Sequence, residues 1–288
     1  MSYYNILGLN REPFSTSPDP GFLYKSKSHM SALHRIEIAV RLKRGMSLLL
    51  GDVGTGKTTI ARALIQSFKN DPDFILHIVL DPYHENRTQF ITNLCRIFGI
   101  EYVYADDPEA IERYLFQKCV LDGKTVVLIV DEGQKLSYPC LEVLRTLLNY
   151  ETNEFKLLQL VIMAQLEFLE TAGKVKNFMD RVSFKYVLNP LDEEETKDMI
   201  NYRLLHAGMD KDSYIFTAGA IREIYNYTKG YPRKINNICH HALENAVMYG
   251  KSKIDELIAQ DVIKHDIRVM QSVHSLNDVP PIKELAAG

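Results

Sequence analysis

Gly51-Asp52-Val53-Gly54-Thr55-Gly56-Lys57-Thr58, preceded by Met46-Ser47-Leu48-Leu49-Leu50 and followed by Thr59-Ile60-Ala61, is the stretch on which the fold turns. The eight residues fit G-x-x-x-x-G-K-[ST], the pattern of a phosphate-binding P-loop. The apolar run before them predicts a short buried strand. After them, Ile60, Ala61, Leu64 and Phe68 recur at helical spacing. Strand, glycine loop and helix N-terminus together form the context the pattern requires, and a chance glycine turn would lack it. Glycines let the backbone N–H groups of Gly51 to Thr59 turn inward around a polyphosphate, and the helix N-terminus adds partial positive charge. Lys57 is expected to reach the outer phosphates and the Thr58 hydroxyl to hold Mg²⁺.

Reading outward, Phe74–Leu80 predicts the next strand, with helical stretches near Arg87–Phe98 and Pro108–Leu121. Pro108 suits a first helical turn capped by Asp106 or Asp107. Thr125-Val126-Val127-Leu128-Ile129-Val130 is an unbroken β-branched and aliphatic run, as expected of a parallel strand buried on both faces. It delivers Asp131 and Glu132 to the C-terminal edge of the sheet, where ligands bind in open α/β folds. In isolation such a pair would be a helix cap and a surface glutamate. Behind an apolar strand and downstream of a P-loop, Asp131 fits the carboxylate that holds Mg²⁺ and Glu132 the base that orients an attacking water. A strand near Leu157–Met163 ends at Gln165, which is read either as a contact to the outer phosphate or as a loop amide. Arg181 precedes a last strand, Phe184–Leu188, and is either a surface arginine or a finger reaching a neighbouring subunit.

Upstream, residues 1–30 form an aromatic and proline-rich arm, expected to pack on a domain because its rings are costly to leave in water. A helix then starts with Ser28 or Ser31 as cap. Strands alternating with helices predict a parallel sheet covered on both faces. Beyond Pro190 the periodicity is helical throughout: Asp192–His206, Thr217–Thr228, Pro232–Tyr249 and about Asp255–Val269. Arg233 opens the third of these behind Pro232 and is expected to point at the nucleotide. The domains are therefore set at 1–30 for the arm, 31–190 for the nucleotide-binding domain, 191–270 for a helical lid and 271–288 for a tail or linker.

Composition limits the partners. With 34 Lys+Arg against 37 Asp+Glu the net charge is -3, so no global basic signal for nucleic acid or anionic membrane exists. The short cluster Arg41, Lys43, Arg44 reads as a solvated helix end. The four cysteines (Cys95, Cys119, Cys140, Cys239) are scattered without a C-x-x-C pair and read as reduced thiols of a cytosolic protein. No apolar run approaches about 20 residues, so no transmembrane segment is expected. His240-His241 and His29/His34 lack metal-site spacing and read as surface or core histidines.

Several of these pieces occur together in one family. Pro13-Phe14, Pro18-Asp19-Pro20, Phe22-Leu23-Tyr24 and Ser28-His29 are followed by Gly51–Thr59, Asp131-Glu132-Gly133-Gln134, Gln165, Arg181, Pro190-Leu191 and Pro232-Arg233-Lys234-Ile235-Asn236. In this the chain resembles the AAA+ ATPases of the ExeA/GspA type, from Tyr3 to about Tyr249. It departs from their frequent Gly-Gln-Pro at Ala164-Gln165-Leu166, and it does not include the membrane span and cell-wall-binding domain into which secretion members often continue. The resemblance implies a P-loop AAA+ three-layer sandwich with a five-stranded parallel sheet, followed by an all-helical lid. It implies ATP and Mg²⁺ as ligands, ATP hydrolysis, and a homo-oligomer, ring or filament. Gln165 would match the first sensor, Arg181 the finger and Arg233 the second sensor, with the arm near the adenine. A cytoplasmic protein at the periphery of the inner membrane follows, with secretion or surface-fibre machinery as partner. Two alternatives stand beside it: a DNA-associated regulator such as a transposition helper, disfavoured by the acidic charge, and an ATP-dependent scaffold with little turnover.

Overall fold

The computed structural model describes residues 2–15, 20–22, 24–100 and 108–277. In chain order it contains α1 (Tyr3–Ile6), α2 (Lys27–Arg41), β1 (Met46–Gly51), α3 (Lys57–Phe68), β2 (Phe74–Val79), α4 (Arg87–Phe98) and α5 (Pro108–Phe116), continued by a π-helical turn Gln117–Leu121. Then come β3 (Thr125–Val130), α6 (Tyr138–Leu147), β4 (Leu158–Ala164), α7 (Phe168–Gly173) and β5 (Val182–Leu188). Four helices close the chain: α8 (Glu193–His206), α9 (Ala218–Thr228), α10 (Pro232–Met248) and α11 (Glu256–Asn277). The chain divides into two compact units. One is Asp19–Asn189; the other joins Met1–Pro18 to Pro190–Gly288.

The first unit is built on a five-stranded sheet in the order β2-β3-β4-β1-β5. Every pairing is parallel, and β3, β4 and β1 occupy the middle. Those three strands are buried along their whole length, which explains their continuous apolar sequence. Alternate side chains divide between two cores. Leu48, Leu50, Leu128, Val130, Leu160 and Ile162 meet Phe90, Leu94, Leu141, Leu144 and Phe168 on one face. Leu49, Val127, Ile129, Val161 and Met163 meet Ile36 and Val40 of α2 and Ile60, Leu64 and Phe68 of α3 on the other. The result is a helix–sheet–helix sandwich. Register places the end of β1 beside the ends of β4 and β5, through Leu50↔Ala164 and Gly51↔Leu188, and the end of β3 beside β4, through Val130↔Ile162. The segments that follow β1, β3 and β4 therefore emerge at one edge.

The second unit is helical. Ile200 and Leu204 of α8, Ile224 of α9, Ile238, Ala242 and Leu243 of α10, and Ala259 of α11 are all buried. A capping box starts α8: the Asp192 carboxylate accepts from the N–H of Glu195, whose side chain accepts from the N–H of Asp192. Residues 2–15 belong here. Phe14 is fully buried, edge-to-face with Phe216 at 6.0 Å. Buried Arg203 donates to the carbonyls of Pro13 (2.8 Å) and Ser15 (3.4 Å), while Arg11 and the Asn10 N–H reach the carbonyls of His206 and Ala207 at the end of α8.

Four expectations change. The described part of the aromatic arm is not one segment: residues 2–15 group with the helices, and residues 20–22 and 24–30 with the sheet. Ser26, rather than Ser28 or Ser31, caps α2, accepting from His29 N at 3.3 Å. The tail set at 271–288 begins too early, since α11 runs to Asn277. An isolated parallel bridge, Phe216↔Ile254, interrupts the otherwise helical half. The caps assigned to Asp106 or Asp107 lie outside the described residues.

Candidate nucleotide-binding site

The loop between β1 and α3 has the backbone its sequence calls for. Gly54 and Gly56 take φ of 82° and 105°, a left-handed region open to glycine and strained for other residues. Gly56 is the N-cap of α3 and offers no side-chain cap; the Thr59 N–H turns back to the Gly56 carbonyl at 3.0 Å, and the N–H groups of Lys57 and Thr58 have no intrahelical acceptor. Lys57 is only 8% exposed, and its Nζ donates to the carbonyls of Gly51 (2.7 Å) and Asp52 (2.9 Å). Burial pushes its ammonium below the ordinary lysine range, and the carboxylates of Glu132, Asp131, Asp52 and Glu167 pull it back up. A buried cation held by neutral carbonyls, beside free helix-end N–H groups, is a donor set that suits a polyphosphate.

Asp131 follows β3, is buried, and accepts the Thr58 hydroxyl on Oδ2 at 2.9 Å. A hydroxyl and a carboxylate held together beside the phosphate loop are hard oxygen ligands suited to Mg²⁺. Glu132 has φ 53°, an uncommon backbone state for a glutamate, and its N–H donates back to Asp131 Oδ1 at 2.9 Å. The next residue must be small: a Cβ on Gly133 would lie 2.5 Å from Ile162 Cγ2 of β4. This close approach turns the chain sharply after β3 and presents both carboxylates to the P-loop.

Two residues had no assigned role from sequence. The Gln134 amide donates from Nε2 to Glu132 Oε2 at 2.5 Å and accepts the Gln165 backbone N–H on Oε1 at 3.1 Å. Both bonds require the same orientation of the amide. His29 of α2 is buried beneath the P-loop. Its Nε2 lies 2.9 Å from the Thr55 carbonyl, so it carries the proton, and in the neutral ring Nδ1 accepts the Ser26 hydroxyl at 2.6 Å. A Cβ on Gly56 would come within 2.7 Å of that Nε2, so ring and glycine fit each other. The only signal for either residue in the sequence was its place in a family motif.

The remaining residues vary in position. Gln165 stands at the same sheet edge, and its backbone rather than its side chain makes the bond to Gln134. Arg181 forks onto Asn149 Oδ1 through Nε (3.2 Å) and Nη2 (2.5 Å), and Nη1 donates to the Asn177 carbonyl at 2.6 Å. Arg233 is an exposed residue in the first turn of α10, in the helical unit.

The P-loop, the carboxylate pair after β3 and the parallel strand order define a P-loop AAA+ module: a three-layer sandwich followed by helices. Comparison with known proteins agrees. Residues 40–171 match the family described as "AAA domain". The chain is 34% identical over 261 residues to general secretion pathway protein A of Aeromonas hydrophila, an alignment covering 88% of this chain and 46% of that protein. The chain thus spans about half the length of the curated relatives it matches. Among solved structures it resembles Drosophila ORC bound to DNA (TM-score 0.69, 19% identity, 98% of this chain and 70% of that one). It also resembles the Aeropyrum pernix ORC2 protein in its ADPNP-ADP complexes (TM-score 0.64, 15% identity, 88% and 71%). At these identities the structural matches speak for the fold. The ExeA/GspA-type resemblance carried by the motifs is thus matched by likeness along most of the chain.

Proposed function

We propose that the protein binds Mg²⁺-ATP at Gly51–Thr59 and hydrolyses it, working as an oligomeric switch that assembles or remodels a protein complex. The observation that carries this reading is the convergence at one sheet edge of Lys57, the Thr58–Asp131 pair 2.9 Å apart and a Glu132 carboxylate held in place by Gln134. In this reading, Lys57 exchanges its loop carbonyls for the outer phosphate oxygens. Thr58 and Asp131 hold the metal, which when bound neutralises charge developing on the phosphates. Glu132 accepts the proton of the attacking water. Gln165 serves as the first sensor of the outer phosphate, Arg233 as the second sensor, and Arg181 leaves Asn149 to serve the site of an adjacent subunit. Likeness to general secretion pathway protein A supports a secretion-related assembly as the partner complex. Among the described residues no helix is long and apolar enough to cross a membrane.

Two substitutions test the reading together. Lys57→Ala removes the mobile cation facing the phosphates and should abolish binding of a fluorescent ATP analogue. Glu132→Gln retains a water-binding amide without a base, so it should bind normally and turn over at least about 100-fold more slowly in single-turnover hydrolysis. Unchanged affinity in the first variant, or near-normal turnover in the second, would remove these residues from the roles given.

A further inference from the structure

On α10, His240, His241 and Glu244 form the spacing H-H-x-x-E. Glu244 is one helical turn beyond both histidines, where i,i+3 and i,i+4 side chains meet. Its carboxylate lies between the rings, with Oε1 3.5 Å from His240 Nε2 and Oε2 3.1 Å from His241 Nδ1. One donor atom from each of the three residues lies within 4.8 Å of the others. A second carboxylate arrives from the N-terminal arm: Glu12 Oε1 is 3.2 Å from His240 Nδ1, and the Tyr3 hydroxyl is 2.9 Å from the same nitrogen. The Tyr3 hydroxyl also lies 3.5 Å from Glu12 Oε1, to which it can donate while accepting from His240 Nδ1–H. Among the described residues, the ion pairs of Glu12 and Glu244 are with these histidines, not with a lysine or arginine. The group is two imidazoles bracketed by two carboxylates.

We propose that His240, His241 and Glu244 form a binding site for a divalent transition-metal ion of the zinc class. Two imidazole nitrogens and one carboxylate match the mixed N/O donor set that zinc takes at about 2.0–2.2 Å, leaving a fourth position for water. In a tetrahedral site with such bonds the ligand atoms stand roughly 3.3 Å apart. The two His–Glu separations are already near that value. Glu12 supplies the outer partner. With His240 Nδ1–H donating to Glu12, the Nε2 lone pair is directed to the metal, the carboxylate–histidine–metal arrangement that fixes tautomer and ring orientation. The ion would thereby fasten the N-terminal arm to α10 within the helical unit.

The test uses the full chain without an affinity tag, stripped with a chelator and kept in millimolar Mg²⁺ so that the P-loop does not compete for zinc. Zinc is titrated against a chromophoric chelator, and Co²⁺ is added separately to read its absorption bands. One zinc per chain is expected, with a dissociation constant below about 10 µM, and a Tm that rises with zinc concentration. His240→Ala, His241→Ala and Glu244→Gln should each weaken binding at least about tenfold and abolish tetrahedral Co²⁺ bands. Glu12→Gln, which contacts no metal, should weaken binding about tenfold while keeping the bands. His34→Ala, on an exposed position of α2, should change nothing. His241 is itself exposed, so its variant keeps the test valid if His240→Ala fails to fold. Zinc affinity weaker than about 1 mM, or equal affinity in wild type and His241→Ala, would overturn the site.

Discussion

Gln134 illustrates how single residues act at this site. Its amide ties the Glu132 carboxylate to the backbone at Gln165, so the proposed base is held by a side chain that lies outside the phosphate loop. Gln134→Leu keeps the volume and removes both hydrogen bonds. Nucleotide affinity should stay within about twofold, while single-turnover hydrolysis slows by roughly 10–100-fold, a share of what a positioned base contributes. A rate within twofold of wild type would show that Glu132 needs no such support. At this scale legibility followed sequence distance. Lys57, Thr58, Asp131 and Glu132 are readable because a short local motif specifies each. Gln134 and His29 act through partners 31 and 26 residues away, which no local pattern reports.

Among the elements, β2 lies at the sheet edge and carries a histidine inside a packed layer. His77 packs against Phe98 at a tilt, with ring centroids 4.6 Å apart, and its Nε2 lies 3.0 Å from the Tyr114 hydroxyl. Burial holds His77 below the usual histidine range, against a smaller opposing effect of its hydrogen bond to the Ile97 backbone. The sign follows from proton uptake. Above the ordinary value of about 6.5 the ring is neutral in both folded and unfolded chains. Below it the unfolded chain binds the proton first, so stability falls with pH until the lowered folded value is passed. In urea titrations, His77→Gln should remove that part of the loss of stability that sets in as pH drops below about 6.5. An identical pH slope in the variant would mean that other groups set it. Periodicity located every strand and the main helices, but not their ends. Ser26 won the cap over Ser28 because its backbone leaves the helix there, and α11 continues to Asn277, past the start set for the tail.

At the scale of the whole molecule, the proposed oligomer makes a prediction that no single chain can meet. Arg181→Ala should bind ATP normally and hydrolyse it about 10³-fold or more slowly if the arginine serves a neighbouring site. Mixing it with inactive Lys57→Ala creates interfaces that pair an intact loop with an intact arginine. Activity should return in proportion to association and rise with protein concentration. A mixture that stays inactive where wild type assembles would leave Arg181 as the local tie to Asn149 and Asn177. The sequence by itself determined that a phosphate loop follows a buried strand, that a carboxylate pair ends another, and that strands give way to helices near Pro190. Each of these depends on residues close together along the chain, where spacing translates directly into geometry. Tertiary structure alone decided the strand order that gathers the ends of β1, β3 and β4, the docking of residues 2–15 on the helical unit through Phe14 and Arg203, and the meeting of Glu12 with His240. Those depend on contacts between segments as far apart as 190 residues and more, set by burial of complementary surfaces rather than by any local pattern.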